Sequence, residues 1–151
     1  MPELKNRLQA DLTKALRERD ELKLATLRMA LAAVTNEEVA GKAARELSDD
    51  DVVRVLTREA KRRREAAEAF ASGGRPELAE RERAEGRVLD EYLPAQLSDD
   101  DLRGLVASAI DETGADGPRG LGAVMKVVTP RVAGRAEGGR VAAEVRRQLA
   151  G

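Results

Sequence analysis

Tyr92-Leu93-Pro94-Ala95-Gln96-Leu97-Ser98-Asp99-Asp100-Asp101 decides the fold, because this stretch stops one helical region and starts another. Pro94 lacks a backbone N–H and disfavours helical geometry at Leu93, so the helix arriving through Val88 and Leu89 ends here. Ser98 restarts the chain. Its hydroxyl accepts from the free N–H groups of the next turn, and the three aspartates suit the positive end of the new helix dipole. The same Ser-Asp-Asp-Asp signal stands at residues 48–51, marking a second helix start.

Upstream of this block, Leu4, Leu8, Leu12 and Leu16 fall at four-residue spacing between charged residues, which predicts an amphipathic first helix with one apolar stripe. In the next segment, Leu24, Leu27, Leu31 and Val34 form one seam, and Leu22, Ala25, Met29 and Ala32 form a second. A helix apolar on two sides is expected to be the most buried of its domain, and Asp20 is placed to cap it, giving an antiparallel hairpin with the first. Asn36-Glu37-Glu38 puts acids at a helix C-terminus, which is unfavourable unless something pairs them. The third helix carries Val52, Val55, Leu56, Ala60, Ala67 and Phe70 toward the core. It also carries Arg58-Glu59-Ala60-Lys61-Arg62-Arg63-Arg64, whose four consecutive cations span more than one turn and cannot share a face. That run reads either as a nucleic-acid patch or as a solvated face paired with Glu59, Glu65 and Glu68. Ser72-Gly73-Gly74-Arg75-Pro76 predicts a turn into a fourth helix, whose middle is expected to be mostly exposed between Leu78 and Leu89.

Downstream, Leu102, Leu105, Val106, Ala109, Ile110 and Thr113 follow the offsets of a single helix face, ended by Gly114. Leu121, Val124, Met125, Val128 and Val132 repeat the pattern, with Pro130 expected to break or kink the helix near Val128. Gly134, Gly138 and Gly139 are read as a loosened connection before a last short helix through Val141, Val145 and Leu149. The expected architecture is all-α: a larger helical-hairpin domain over residues 1–94 and a small three-helix module over residues 95–151.

Composition narrows the chemistry. Charged residues are 36% of the 151, but 27 basic residues nearly cancel 28 acidic ones, so any polyanion binding must rest on local asymmetry. Cysteine and histidine are absent, which removes disulfides, thiol nucleophiles, Cys/His zinc sites and the side chain best suited to proton transfer near neutrality. Ser48 and Ser98 are explained as caps, and no glycine cluster is followed by the Lys-Ser or Lys-Thr of a phosphate loop. We therefore assign no catalytic residue, metal ligand or cofactor. Neither a membrane-length apolar run nor an apolar N-terminal segment is present, and a cytoplasmic protein is the expectation.

Charge is uneven within the last module. From residue 119 onward seven basic residues stand against Glu137 and Glu144, an excess of plus five. Basic side chains beside Gly134, Gly138 and Gly139 suit the close approach of a phosphate backbone, although glycines serving helix ends and arginines serving solubility explain the composition equally well.

Several blocks taken together resemble the YqeY family: Leu27-Arg28-Met29 with Asn36-Glu37-Glu38, Arg62-Arg63-Arg64-Glu65, Tyr92-Leu93-Pro94-Ala95-Gln96-Leu97-Ser98, and Gly122-Ala123-Val124-Met125-Lys126 followed by Gly134-Arg135-Ala136. That family is similar to the C-terminal helical tail of the B subunit of aspartyl/glutamyl-tRNA amidotransferase, a tRNA-binding appendage. The resemblance spans essentially the whole chain and implies a two-domain helical protein. It makes Lys126, Arg131, Arg135 and Arg140 candidate contacts to tRNA or another structured RNA. Lys126 and Arg135 match the Met-Lys and Gly-Arg-Ala blocks, while Arg131 and Arg140 join them on charge and position. The family is also associated with glutamine-dependent carbon–nitrogen ligase activity, but this chain lacks the large catalytic body and glutaminase partner. The implied function is a non-catalytic tRNA-binding accessory protein. Two alternatives stay open: an interaction module that recruits an amidotransferase-like partner, and a carbon–nitrogen ligase with glutamine as amido donor.

Overall fold

A computed structural model describes residues 3–151, and every regular element among them is helical, as the periodicity requires. Seven α-helices run in order among the described residues: α1 (Glu3–Glu18), α2 (Glu21–Glu38), α3 (Asp49–Ser72), α4 (Pro76–Asp90), α5 (Asp99–Thr113), α6 (Leu121–Val132) and α7 (Gly138–Leu149). A short 3-10 turn, Pro118–Gly120, precedes α6. No helix among these residues is long and apolar enough to cross a membrane. The chain divides between Leu93 and Pro94 into two compact units.

In the first unit Asp20 caps α2 by accepting from the Lys23 N–H at 3.1 Å. The leucine stripe of α1 fails at its end. Four-residue spacing drifts about 40° per step against a 3.6-residue turn, so Leu16 rotates out of the core to 56% exposure and Ala15 is buried instead. On α2 the second apolar seam is only partial, because Ala25 and Ala32 are exposed. The buried face is Thr26, Leu27, Ala30 and Val34, and Thr26 is tolerated there because its hydroxyl donates to the Leu22 carbonyl at 2.8 Å. Small residues on this face let α1, α3 and α4 all pack on α2.

The Asp49–Ser72 helix begins with a full capping box. The Ser48 hydroxyl accepts from the Asp51 N–H, and the Asp51 carboxylate accepts from the Ser48 N–H, which holds that carboxyl below its usual range. The middle of α4 is not simply exposed. Arg63 reaches across from α3 to Glu82 at 3.4 Å and Glu85 at 3.3 Å and also donates to the Met29 sulfur, so a polar seam joins three helices where apolar residues are missing. After α4, Tyr92 completes the first core. Its hydroxyl donates to Asp11 at 2.6 Å while the Arg7 guanidinium lies 4.5 Å over its ring.

In the second unit, Leu102, Val106, Ala109, Val124, Val128, Val132, Val141, Val145 and Leu149 make one core. Ser98 caps α5 by accepting from the Asp101 N–H at 3.0 Å, and Gly114 ends it in the left-handed conformation. Two sequence expectations are corrected here. Pro130 does not break α6, which continues to Val132. The carbonyl deprived of its donor belongs to Lys126, on the exposed face, where water can take its place. Gly138 and Gly139 are the first residues of α7 and not part of a loose connection.

Two measurements check this description. Ser48→Ala and Ser98→Ala should each lower stability by about 1 kcal/mol in urea titration, the first through the residues 3–93 unit and the second through the 94–151 unit. Burial, followed by the bond to Asp11, raises the Tyr92 pKa above its ordinary value, so the folded state retains the phenolic proton longer than the unfolded state does. Stability is therefore lost as pH rises through and beyond about 10, and Tyr92→Phe should flatten that alkaline limb while lowering neutral-pH stability by about 1 kcal/mol.

Candidate nucleic-acid interface

The segment between α6 and α7 turns sharply. Ala133 and Gly134 take positive φ values of 47° and 79°, and the turn brings residues 134–136 beside the segment that leads into α5. The Leu97 N–H donates to the Arg135 carbonyl at 2.7 Å, and Gln96 Nε2 donates to the Gly134 carbonyl at 3.4 Å. Arg140, in the first turn of α7, closes the arrangement by donating from Nη2 to the Leu97 carbonyl and to Asp99 Oδ1, both at 2.8 Å. Ala136 is buried beneath it. The Gln96-Leu97-Ser98 and Gly134-Arg135-Ala136 blocks, far apart in sequence, are thus two halves of one clasp.

The four basic residues singled out above occupy different situations. Arg135 folds back onto the end of α6, with Nη2 donating to the Arg131 carbonyl at 2.7 Å and Nε at 3.2 Å to the Val132 carbonyl, which also accepts the Arg135 N–H at 2.9 Å. Arg140 belongs to the clasp. Arg131 is 40% exposed and pairs with Glu112 of α5. Lys126 is exposed on α6 and has no hydrogen-bond or ion-pair partner among the described residues. Both tied arginines keep guanidinium N–H groups beyond those used, since each carries five.

Folding also reshapes the field. The plus-five segment packs against the acidic α5, and residues 94–151 contain eight basic and eight acidic residues, so the unit has no net charge. Glu144 is drawn below the usual carboxylate range by the Arg147 side chain and then by Gln148, which pairs the last turns of α7 except at exposed Arg146. Near α7's start the geometry is different. Glu137 stands at the N-cap without a side-chain cap bond, and a Cβ at Gly138 would meet nothing within 4 Å. At Gly139 a Cβ would meet the Glu137 carboxylate at 3.5 Å, so the helix start beside Arg140 is open at Gly138 and has an acid against Gly139.

The four-residue basic run on α3 separates as its helical phase demands. Lys61, Arg62 and Arg64 are exposed, while Arg63 points inward to Glu82 and Glu85. Sequence reasoning missed Glu59, which is 5% exposed. A signal was present, because Glu59 lies four residues after Val55 and three after Leu56, in phase with the core face.

These features describe an all-helical protein whose distinctive blocks serve first to close a small helical unit. Comparison with known proteins makes the class specific. A family model described as Yqey-like protein matches residues 5–149, and the chain belongs to the YqeY family. It is 31% identical over 134 residues to "Altered inheritance of mitochondria protein 41, mitochondrial" of Pyrenophora tritici-repentis, covering 86% of this chain and 71% of that protein. It is 30% identical over 99 residues to an uncharacterized protein of Schizosaccharomyces pombe, covering 65% of this chain and 78% of that one.

The clasp has a direct test. Arg140→Ala should destabilise the 94–151 unit by about 1–2 kcal/mol, read as a lower urea midpoint, even with no RNA present.

Proposed function

We propose that the protein is a non-catalytic RNA-binding accessory factor, with tRNA as the class of ligand, and that the 94–151 unit makes the contact. The observation that carries this reading is the surface around α6 and the start of α7. It combines an unpartnered Lys126, an exposed Arg131, and an uncapped Gly138-Gly139-Arg140 helix start. The family's similarity to the tRNA-binding tail of an amidotransferase subunit supports the same reading. In it Lys126 and Arg131 contact phosphates directly, while Arg135 and Arg140 hold the glycine turn in shape and offer their remaining N–H groups. Binding is driven by phosphate contacts, not by net charge, so the protein reads RNA shape more than sequence. The cytosol is the proposed compartment.

An equilibrium titration of the full chain with tRNA at several salt concentrations tests the proposal. Binding should weaken linearly with the logarithm of salt, and Lys126→Ala and Arg131→Ala should each reduce the slope by about one. Glu112→Gln, which releases Arg131 from its ion pair, should tighten binding by about two- to fivefold. Absence of binding at low salt, or a slope unchanged in both variants, overturns the assignment. A protein partner retained in pull-down after nuclease treatment would favour a recruiting role instead.

A further inference from the structure

The groove between the last turns of α2 and the outer face of α3 holds chemistry that the RNA-backbone reading does not use. It encloses about 260 Å³, and its walls include Asn36 and Glu37 from α2 with Val55, Arg58, Glu59 and Arg62 from α3. Glu59 is the exceptional member, a carboxylate 5% exposed within a basic run. A carboxylate has room for about four hydrogen bonds. Arg62 supplies one at 3.2 Å to Oε2, from a side chain that is itself 70% exposed. The second Glu59 oxygen has no bond of its own among the described residues and is not among the fully buried atoms left without a partner, so it is open to the groove, where it can take an N–H donor. On the facing helix Asn36 is exposed, and its amide makes no hydrogen bond among the described residues, leaving a donor and an acceptor open. At the rim, Arg58 is fixed by Glu37 at 3.1 Å and remains 60% exposed.

Recessed acceptor, adjacent amide, apolar Val55 and two guanidinium groups at the mouth form a specific pattern. We propose that this groove binds the Watson–Crick edge of a guanine nucleotide. Guanine N1–H and the exocyclic N2–H donate side by side to the Glu59 carboxylate, and the Asn36 amide donates to O6. Arg58 or Arg62 stacks on the base plane or meets the phosphate. Guanine is the base whose edge carries two neighbouring N–H donors followed by an acceptor. Adenine and cytosine offer one amino group beside a ring acceptor, and uracil offers one N–H between two carbonyls. The Watson–Crick edge is available only in an unpaired base, so the ligand is a mononucleotide or an unpaired guanine. This site lies in the unit that ends at Leu93 and is independent of the proposed contact surface on α6 and α7.

The experiment is an amide NMR titration of the ¹⁵N-labelled full chain with GMP, AMP, CMP and UMP. GMP should shift the amides of Asn36, Glu37, Glu59 and Arg62 and bind about tenfold more tightly than AMP. Glu59→Gln, which replaces a two-acceptor edge by a mixed one, should abolish that preference. Because Glu59 is buried, Asn36→Ala serves as the second variant; Asn36 is exposed, and its loss should weaken GMP by about threefold to tenfold while leaving the remaining spectrum in place. Unmoved amides with GMP, or equal shifts with all four nucleotides, overturn the proposal, the latter meaning phosphate capture by Arg58 and Arg62 alone. Failure here with salt-dependent tRNA binding intact leaves the RNA reading of the other unit standing, and the opposite pattern overturns only that reading.

Discussion

The short bond from the Leu97 N–H to the Arg135 carbonyl is the joint on which the second unit depends. Three helices of twelve to fifteen residues enclose a core built mostly of valine and alanine, and such a core has little apolar area to hold its ends together. The bond ties the entry of α5 to the turn between α6 and α7, so the unit's first segment and its last connection are fixed at one place. Arg140 and Arg135 then occupy carbonyls around that bond which would otherwise need water. The first unit solves a similar shortage through Arg63, which joins α2, α3 and α4 where no large apolar side chain is available.

Arginine therefore has two kinds of work in this molecule. Arg63, Arg135 and Arg140 are directed at carboxylates, carbonyls or sulfur inside their own unit. Arg58 and Arg62 are anchored by recessed acids and keep most of their surface in solvent. An anchored guanidinium loses less freedom when it meets a ligand, because part of its rotamer entropy has already been given up in the fold. Net charge is a poor guide to such a surface. The 94–151 unit is neutral by count, yet Lys126 on α6 stands without an acid in bonding range among the described residues, while Arg131 and Arg140 are shared with Glu112 and Asp99.

Much of the fold was legible from residues alone, and the reasons are local. The Ser-Asp-Asp-Asp starts, Asp20, the Gly73-Gly74 turn and Gly114 act within a few residues of their own position, and the structure places each at a helix end. Leu16 and Gly138 were misread, and Pro130 removes one helical donor without ending its helix. Leu16 lost its place to accumulated helical drift. Pro130 was tolerated because the carbonyl it leaves unpaired lies on an exposed face, and Gly138 entered a helix that Arg140 holds against Leu97. The site was less legible than the fold. Lys126, Arg131, Arg135 and Arg140 look alike as a list of cations, whereas their partners distinguish a free donor, a surface ion pair, a helix-end cap and a clasp.

By itself the sequence determined that this chain is helical, where most of its helices begin and end, and that its chemistry must do without thiols and imidazoles, since these follow from periodicity, capping and composition. Tertiary structure alone decided which charged groups face inward. Glu59 and Arg63 sit in the same basic run as Arg62 and Arg64; helical phase sets which of them turn inward, and the packing of α2 and α4 against α3 decides that Glu59 is buried and that Arg63 becomes a part-buried cross-link. The physical reason is that burial is a property of what lies opposite a side chain, and nothing in a residue's immediate neighbours specifies what will be packed across from it.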